Sequence, residues 1–201
     1  MSEHTPLPLL AGAPLDAPLA WRAGVPISRR QYLADAAALA ERLPDGDALL
    51  AVCNDRYRFA LSLGAAMLRG RFNLMPPNHT PDMVARLLGL FPRTHGLLEA
   101  GAGPHALPSL SFDDIAPGRA DTITDTPRFA PGTIVAQVLT SGSTGQPTQH
   151  AKRWDLLVEN IRAEAARIAH HLGRDSLAGV SLLGTVPPHH MYGFESTVLL
   201  A

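Results

Sequence analysis

"TIVAQVLTSGSTGQPTQH", residues 133–150, decides the reading of this chain. The first part, "TIVAQVL" (133–139), is almost continuously apolar, the pattern of a strand buried on both faces. The stretch that follows is different. From Leu139 to His150, two glycines, two serines and three threonines crowd into twelve positions, more than a surface turn needs. The carboxyl end of a buried strand is where ligands sit on open α/β sheets. Gly142 and Gly145 let the backbone approach a ligand with no Cβ in the way. Successive backbone N–H groups can then point into one concavity that receives an anion. The hydroxyls of Thr140, Ser141, Ser143 and Thr144 add donors, and a hydroxyl oxygen can face Mg²⁺. The chemistry implied is a polyphosphate held by dipoles. The plainer alternative is a Ser/Gly connection from strand to helix. The stretch is not a Walker loop, because no G-x-x-x-x-G-K-[ST] occurs, and its glycine spacing is not that of a nucleophile elbow.

Outward from this stretch, strands and helices alternate. Residues 1–20 read as an irregular arm. Ser28 and Gln31 have capping-box spacing and open a helix whose Leu33, Ala37, Ala40 and Leu43 share a face. "ALLAVC" (48–53) is a short buried strand, and "NDR" turns into a helix over about 56–69, ended by Gly70. Arg56 at that turn is expected to pair with a carboxylate. "FNLMP" is a weak strand. Thr80 and Pro81 are a cap and a first-turn proline for a helix over about 81–91 that buries Met83, Val84, Leu87, Leu88 and Phe91. "GLLEA" (96–100) is a further strand. Residues 101–132 form a long connection with an edge strand near "SLSF". A helix over about 154–172 carries Leu157, Ile161, Ala165, Ile168 and Leu172 on one face, and "AGVSLLGTV" (178–186) reads as a strand. Trp21 and Trp154 read as packing residues. The pattern predicts an α/β domain with a mainly parallel sheet and flanking helices.

The composition narrows the function. Hydrophobic residues are 46% and charged residues 17% of the 201, which is globular rather than disordered. A formal net charge of -1 argues against a grip on nucleic acid. No apolar run approaches the ~18 residues of a membrane span. Residues 1–21 lack a basic leading segment and are interrupted by prolines, so no signal peptide is read. The single cysteine, Cys53, lies in an apolar run and reads as a reduced buried thiol, which fits the cytoplasm.

"LTSGSTGQPT" resembles the phosphate loop of the adenylate-forming enzymes, the acyl- and aryl-CoA synthetases and their relatives, whose pattern is close to T-S-G-[ST]-T-G-x-P-K. "VPPHHMYGFE" (186–195) resembles that family's proline–aromatic–His–aromatic–Gly segment, which lines the acyl pocket. The order and spacing of the two are those of the family. Residues 27–43 also resemble its first helix, and 51–77 the strand, helix and proline-rich turn after it, so 21–201 reads as an incomplete N-terminal domain. The resemblance implies that Thr140, Ser141, Gly142, Ser143, Thr144 and Gly145 hold the phosphates of ATP, with Thr144 near Mg²⁺. It implies that His190 orients the carboxylate or shapes the acyl pocket, flanked by Tyr192 and Gly193. It implies a fatty or aryl acid as substrate, and CoA or a phosphopantetheinyl carrier protein as acceptor.

The chain departs from the pattern in two ways. Thr148 stands where the family has lysine, and Lys152 is the candidate replacement; with Arg153 it reads otherwise as a solvated residue at a helix start. The family's adenine-binding segment, ribose-binding aspartate and catalytic lysine lie further downstream and do not occur in these residues. The 201 residues alone are therefore expected to be inactive, with the remainder supplied as a separate chain if the enzyme is split. A non-catalytic acyl- or nucleotide-binding module is the alternative, and a serine hydrolase a distant third. His170 and His171 read as surface residues, since no Cys/His spacing supports a metal site. Glu195 reads as a carboxylate at a helix start.

Overall fold

The strand read at 48–53 forms as β4 (Ala48–Val52) at the middle of a six-stranded sheet. The computed structural model describes residues 5–101, 106–141 and 147–201. Successive side chains of a strand point to opposite faces, and β4 obeys this with both faces covered. Leu49, Ala51 and Cys53 join a core with Leu33 and Leu39 of α1 (Arg29–Arg42) and Phe59 and Leu63 of α2 (Arg56–Leu68). Ala48 and Leu50 join a second core with Val84 and Leu87 of α3 (Pro81–Leu90). Each fully buried leucine there contributes about 2 kcal/mol.

β5 (Phe72–Met75) lies on one side of β4 and β6 (Thr94–Leu98) on the other, both parallel to it. β7 (Ser109–Ser111) extends the sheet beyond β6, and β9 (Ile134–Ser141) extends it beyond β5, also in parallel. The chain thus leaves β4 toward one edge and β6 toward the other. Outside the sheet, β1 (Leu7–Pro8) pairs with β8 (Arg128–Phe129), and β2 (Pro18–Arg22) pairs with β3 (Val25–Ser28).

The caps follow the residue types. Ser28 Oγ accepts from Gln31 N at 3.1 Å, Asp55 Oδ1 from Tyr57 N at 2.8 Å, and Thr80 Oγ1 from Met83 N at 3.4 Å. The Gln31 amide does not close a capping box. It donates to Asp35 Oδ1 at 2.7 Å and to Gly118 O at 3.1 Å, stitching α1 to the long connection.

Several expectations are corrected. The helix read over about 154–172 forms as α4 (Trp154–His171), but a strand the sequence did not show precedes it: Pro147–Arg153 forms β10, antiparallel to β9. Lys152 is therefore a strand residue, and Arg153 caps α4 while pairing with Asp155 at 2.5 Å. Residues 178–186 form no strand and pair with none of the described strands; Leu183 is 95% exposed. β6 starts and ends two residues earlier than read. Met83, Leu88 and Phe91 are half-buried rather than buried. On α4, Leu157 is buried but Leu172 is exposed. Trp154 is buried, whereas Trp21 lies on the exposed β2–β3 hairpin and is 54% exposed. Among the described residues no helix is long and apolar enough to cross a membrane.

Candidate functional site

The site is assembled at the carboxyl ends of the parallel strands. β4 ends at Val52 and leads through Cys53 and Asn54 to Asp55, which caps α2 and pairs with Arg22 at 2.5 Å. The next residue, Arg56, does not meet a carboxylate as the sequence suggested. Its Nη2 donates to the Val186 carbonyl, and its Nε donates to Thr197 Oγ1 at 3.0 Å. The Thr197 hydroxyl in turn donates to Gly193 O at 2.5 Å. One guanidinium thus ties both flanks of residues 186–197, a segment with no sheet pairing of its own. The Phe194 ring seals it from below, edge-to-face on Phe59 with centroids 6.2 Å apart.

Within that segment the chain turns tightly. His190 N donates to Pro187 O at 3.2 Å, and Phe194 N to His190 O at 2.8 Å, starting α5 (Met191–Gly193). The helix continues as a π-helical stretch, Phe194–Leu199. Gly193 fits this turn because a Cβ there would lie 2.2 Å from Pro187 O. His190 and Tyr192 are exposed, and Gly193 is buried.

Two histidines that the sequence did not assign to the site lie inside it. His79, from the loop between β5 and α3, packs edge-on against His189 with centroids 5.2 Å apart, and His189 lies 4.4 Å from His190. Burial holds the His79 imidazole below the usual range, and a nearby His190 adds to this. Burial pushes His189 down to about 4, reinforced by His79 and His190. Both rings are therefore neutral near pH 7. The pattern "PPNH" could have been noticed, but nothing local in it shows that His79 faces His189.

At the end of β9, Thr140 Oγ1 lies 3.3 Å from His150 Nε2 across the β9–β10 pair, and Thr148 stands opposite Thr140. Ser141 is the last residue of β9. The expectations on Gly142, Ser143, Thr144 and Gly145, including Thr144 at Mg²⁺, lie outside the described residues. Burial raises the half-buried Glu195 carboxyl, and the Lys152 charge opposes that rise. Glu195 lies in the first turn of the π-helical stretch, as read. Cys53 is a free, buried thiol, pushed up to about 12 by burial and by the neighbouring Glu99 and Asp55 carboxylates. His170 and His171 are exposed on α4.

No family model matches the chain, and no curated protein matches it. Solved structures do. A malonyl-CoA ligase in a ternary complex with methylmalonyl-CoA and AMP superposes with a TM-score of 0.69 at 22% identity, over 96% of this chain and 40% of that one. This is the fold of the N-terminal domain of the adenylate-forming ligases. A fatty acyl-adenylate ligase from L. pneumophila, in complex with acyl adenylate and pyrophosphate, gives 0.61 at 18% identity, over 88% of this chain and 32% of that one. O-succinylbenzoate coenzyme A synthetase from Bacillus subtilis, in complex with AMP, gives 0.61 at 14%, over 88% and 49%. The chain thus spans less than half the length of each of these ligases.

Proposed function

We propose that these residues are the N-terminal portion of an adenylate-forming ligase, which activates a carboxylic acid with ATP and passes the acyl group to the thiol of CoA or of a carrier protein. The observation that carries this reading is convergence. β5 and β9 are parallel neighbours, so the end of β9, where the Gly/Ser/Thr stretch begins, and His79 after β5 share one end of the sheet. The 186–195 segment meets that same end, with His189 on His79. The end of β9 and the 186–195 segment thus lie at one end of the sheet, which supports a site that brings phosphate and acid together.

In this reading Thr140, Ser141, Gly142, Ser143, Thr144 and Gly145 cradle the phosphates, and Thr144 helps hold Mg²⁺. A bound Mg²⁺ would supply charge neutralisation for the displacement of pyrophosphate by a carboxylate. His190, Tyr192 and Gly193 bound the acid, with His190 orienting its carboxylate. Residues 21–201 form the incomplete N-terminal domain, preceded by the 1–20 arm, and a separate chain supplies the rest if the enzyme is split. The fold and reaction fit a cytoplasmic setting. A non-catalytic nucleotide- or acyl-binding module is a second reading. It is favoured by Thr148 standing where the family's loop has a cation.

The test is titration of the ¹⁵N-labelled chain with Mg·ATP and, separately, with an acyl-sulfamoyl adenosine. Saturable shifts at Thr140 and Ser141 with the first, and at His190 and Tyr192 with the second, are expected, with no carboxylate-dependent ATP–pyrophosphate exchange. Absence of both sets of shifts would sink the ligase reading. Robust exchange would refute the assignment of catalysis to residues beyond these.

A further inference from the structure

A small cavity of about 70 Å³ opens beside the histidines and is lined by Val52, Cys53, Asn54, His79, Glu99 and His189. Its place in the topology is telling. β4 and β6 are adjacent, yet β4 hands the chain to one edge of the sheet and β6 to the other. The loops after them diverge and leave a crevice at the strands' carboxyl ends, the general ligand position in open α/β sheets. Val52 and Asn54 come from the end of β4, and Glu99 directly follows β6.

The lining is chemically unfinished. His79 Nε2 and His189 Nδ1 are both buried without a hydrogen-bond partner. Leaving such atoms unpaired is costly, so buried polar groups normally have a partner. Of the other polar side chains, Asn54 is exposed, whereas Glu99 and Cys53 are engaged. Glu99 accepts from Asn54 N at 3.5 Å and Asp55 N at 3.4 Å and pairs with Arg58 at 3.8 Å. The Cys53 thiol donates to Asp55 O at 3.8 Å.

These facts constrain the occupant. Two neutral imidazoles offer one donor and one acceptor each, and burial keeps both rings uncharged. A carboxylate or phosphate would meet the Glu99 charge with no cation in the lining. A metal ion is not indicated, since no group of three ligating side chains suited to one occurs among the described residues. An apolar group would leave both ring nitrogens unpaired. A hydroxyl, which donates and accepts at one atom, answers the pair.

We propose that this crevice is a subsite for an uncharged hydroxyl on the molecule bound at His190. Taken with the ligase reading, on which only the identity of that molecule rests, the acid activated is a hydroxylated one. His189 is the link, because its ring packs on His190 on one side and faces the cavity on the other.

The experiment titrates the 201-residue chain with phenol, toluene and benzoate, following the imidazole Hε1 signals of His79 and His189 by NMR. Phenol should bind about tenfold more tightly than toluene, the worth of one buried hydrogen bond, and benzoate should bind no better than toluene. His189→Phe should remove the phenol preference, and His79→Gln, whose amide still donates and accepts, should retain most of it. Equal binding of phenol and toluene, preferential binding of benzoate, or a phenol preference that survives His189→Phe would each overturn the proposal. None of these readouts requires nucleotide or turnover, so failure of the ligase reading leaves the result interpretable.

Discussion

Replacing Gly193 with alanine sets two effects of opposite sign against each other. Gly193 has helical dihedrals, φ −63° and ψ −36°, so alanine meets no backbone strain there. Propensity alone predicts a gain of up to about 1 kcal/mol. The new methyl group, however, would lie 2.2 Å from Pro187 O, 2.9 Å from Pro187 C and 3.0 Å from Val186 O. These are backbone atoms, and Arg56 holds Val186 O in place, so the neighbours cannot swing aside as a flexible side chain would. Overpacking of this kind costs roughly 1–3 kcal/mol. The clash wins, and Gly193→Ala should lower stability by about 1–2 kcal/mol net. Gly89 is the control: it sits in α3 with nothing within 4 Å of an added Cβ. Gly89→Ala should stabilise by about 0.5–1 kcal/mol. Urea unfolding followed by far-ultraviolet circular dichroism gives both values, and the slopes check that the transition is unchanged. If Gly193→Ala proves as stabilising as Gly89→Ala, the packing of the 186–197 segment against its own turn is wrong.

Arg56→Met keeps the aliphatic stem but removes the bonds to Val186 O and Thr197 Oγ1. Charge-assisted bonds of this kind are worth ~1.5–3 kcal/mol each, and partial exposure reduces that, so a loss of about 2 kcal/mol is expected by thermal and urea unfolding, with Arg56→Lys intermediate. A loss near zero would mean the segment is held otherwise. Stability should also fall with acid. The folded His189 imidazole is depressed from 6.5 to about 4, and His79 shifts the same way. The native state therefore resists protonation, and this contribution is complete above pH 6.5 and is lost as pH falls toward 4. His189 is only half-buried, so solvent screening cuts the effect to about 1–2 kcal/mol. Between pH 6.5 and 4 the wild type should lose about 1–2 kcal/mol more unfolding free energy than His189→Phe, and parallel curves would contradict the buried neutral pair.

What the sequence made legible is mostly what local rules control. β4 was readable because a five-residue apolar run between turn residues can hardly be other than a doubly buried strand, and α1 and α3 announced their caps at Ser28 and Thr80. β10 was not, because "PTQHAKR" is polar and exposed at every position from Thr148 on except the half-buried Lys152; only its pairing with β9 makes it a strand. Residues 178–186 erred the other way, since β-propensity alone does not make a strand of a segment that pairs with no other. The site divides similarly. His190, Tyr192 and Gly193 were found through a contiguous motif. His79 and Arg56 act on that motif across more than a hundred residues, through contacts that no local pattern encodes.

The hairpin that ends the sheet bears on how the chain folds. β9 and β10 are joined by a short connection, so their pairing needs only a small loop closure and belongs to the microsecond regime. Joining β9 to β5 instead brings Asn73 to Ala136, a long closure that must come before any reward from burial. The β9–β10 ribbon is thus expected to form early and to dock late. Its polar, positively charged outer strand then does a second service: it keeps the waiting edge from pairing with another chain before docking is complete.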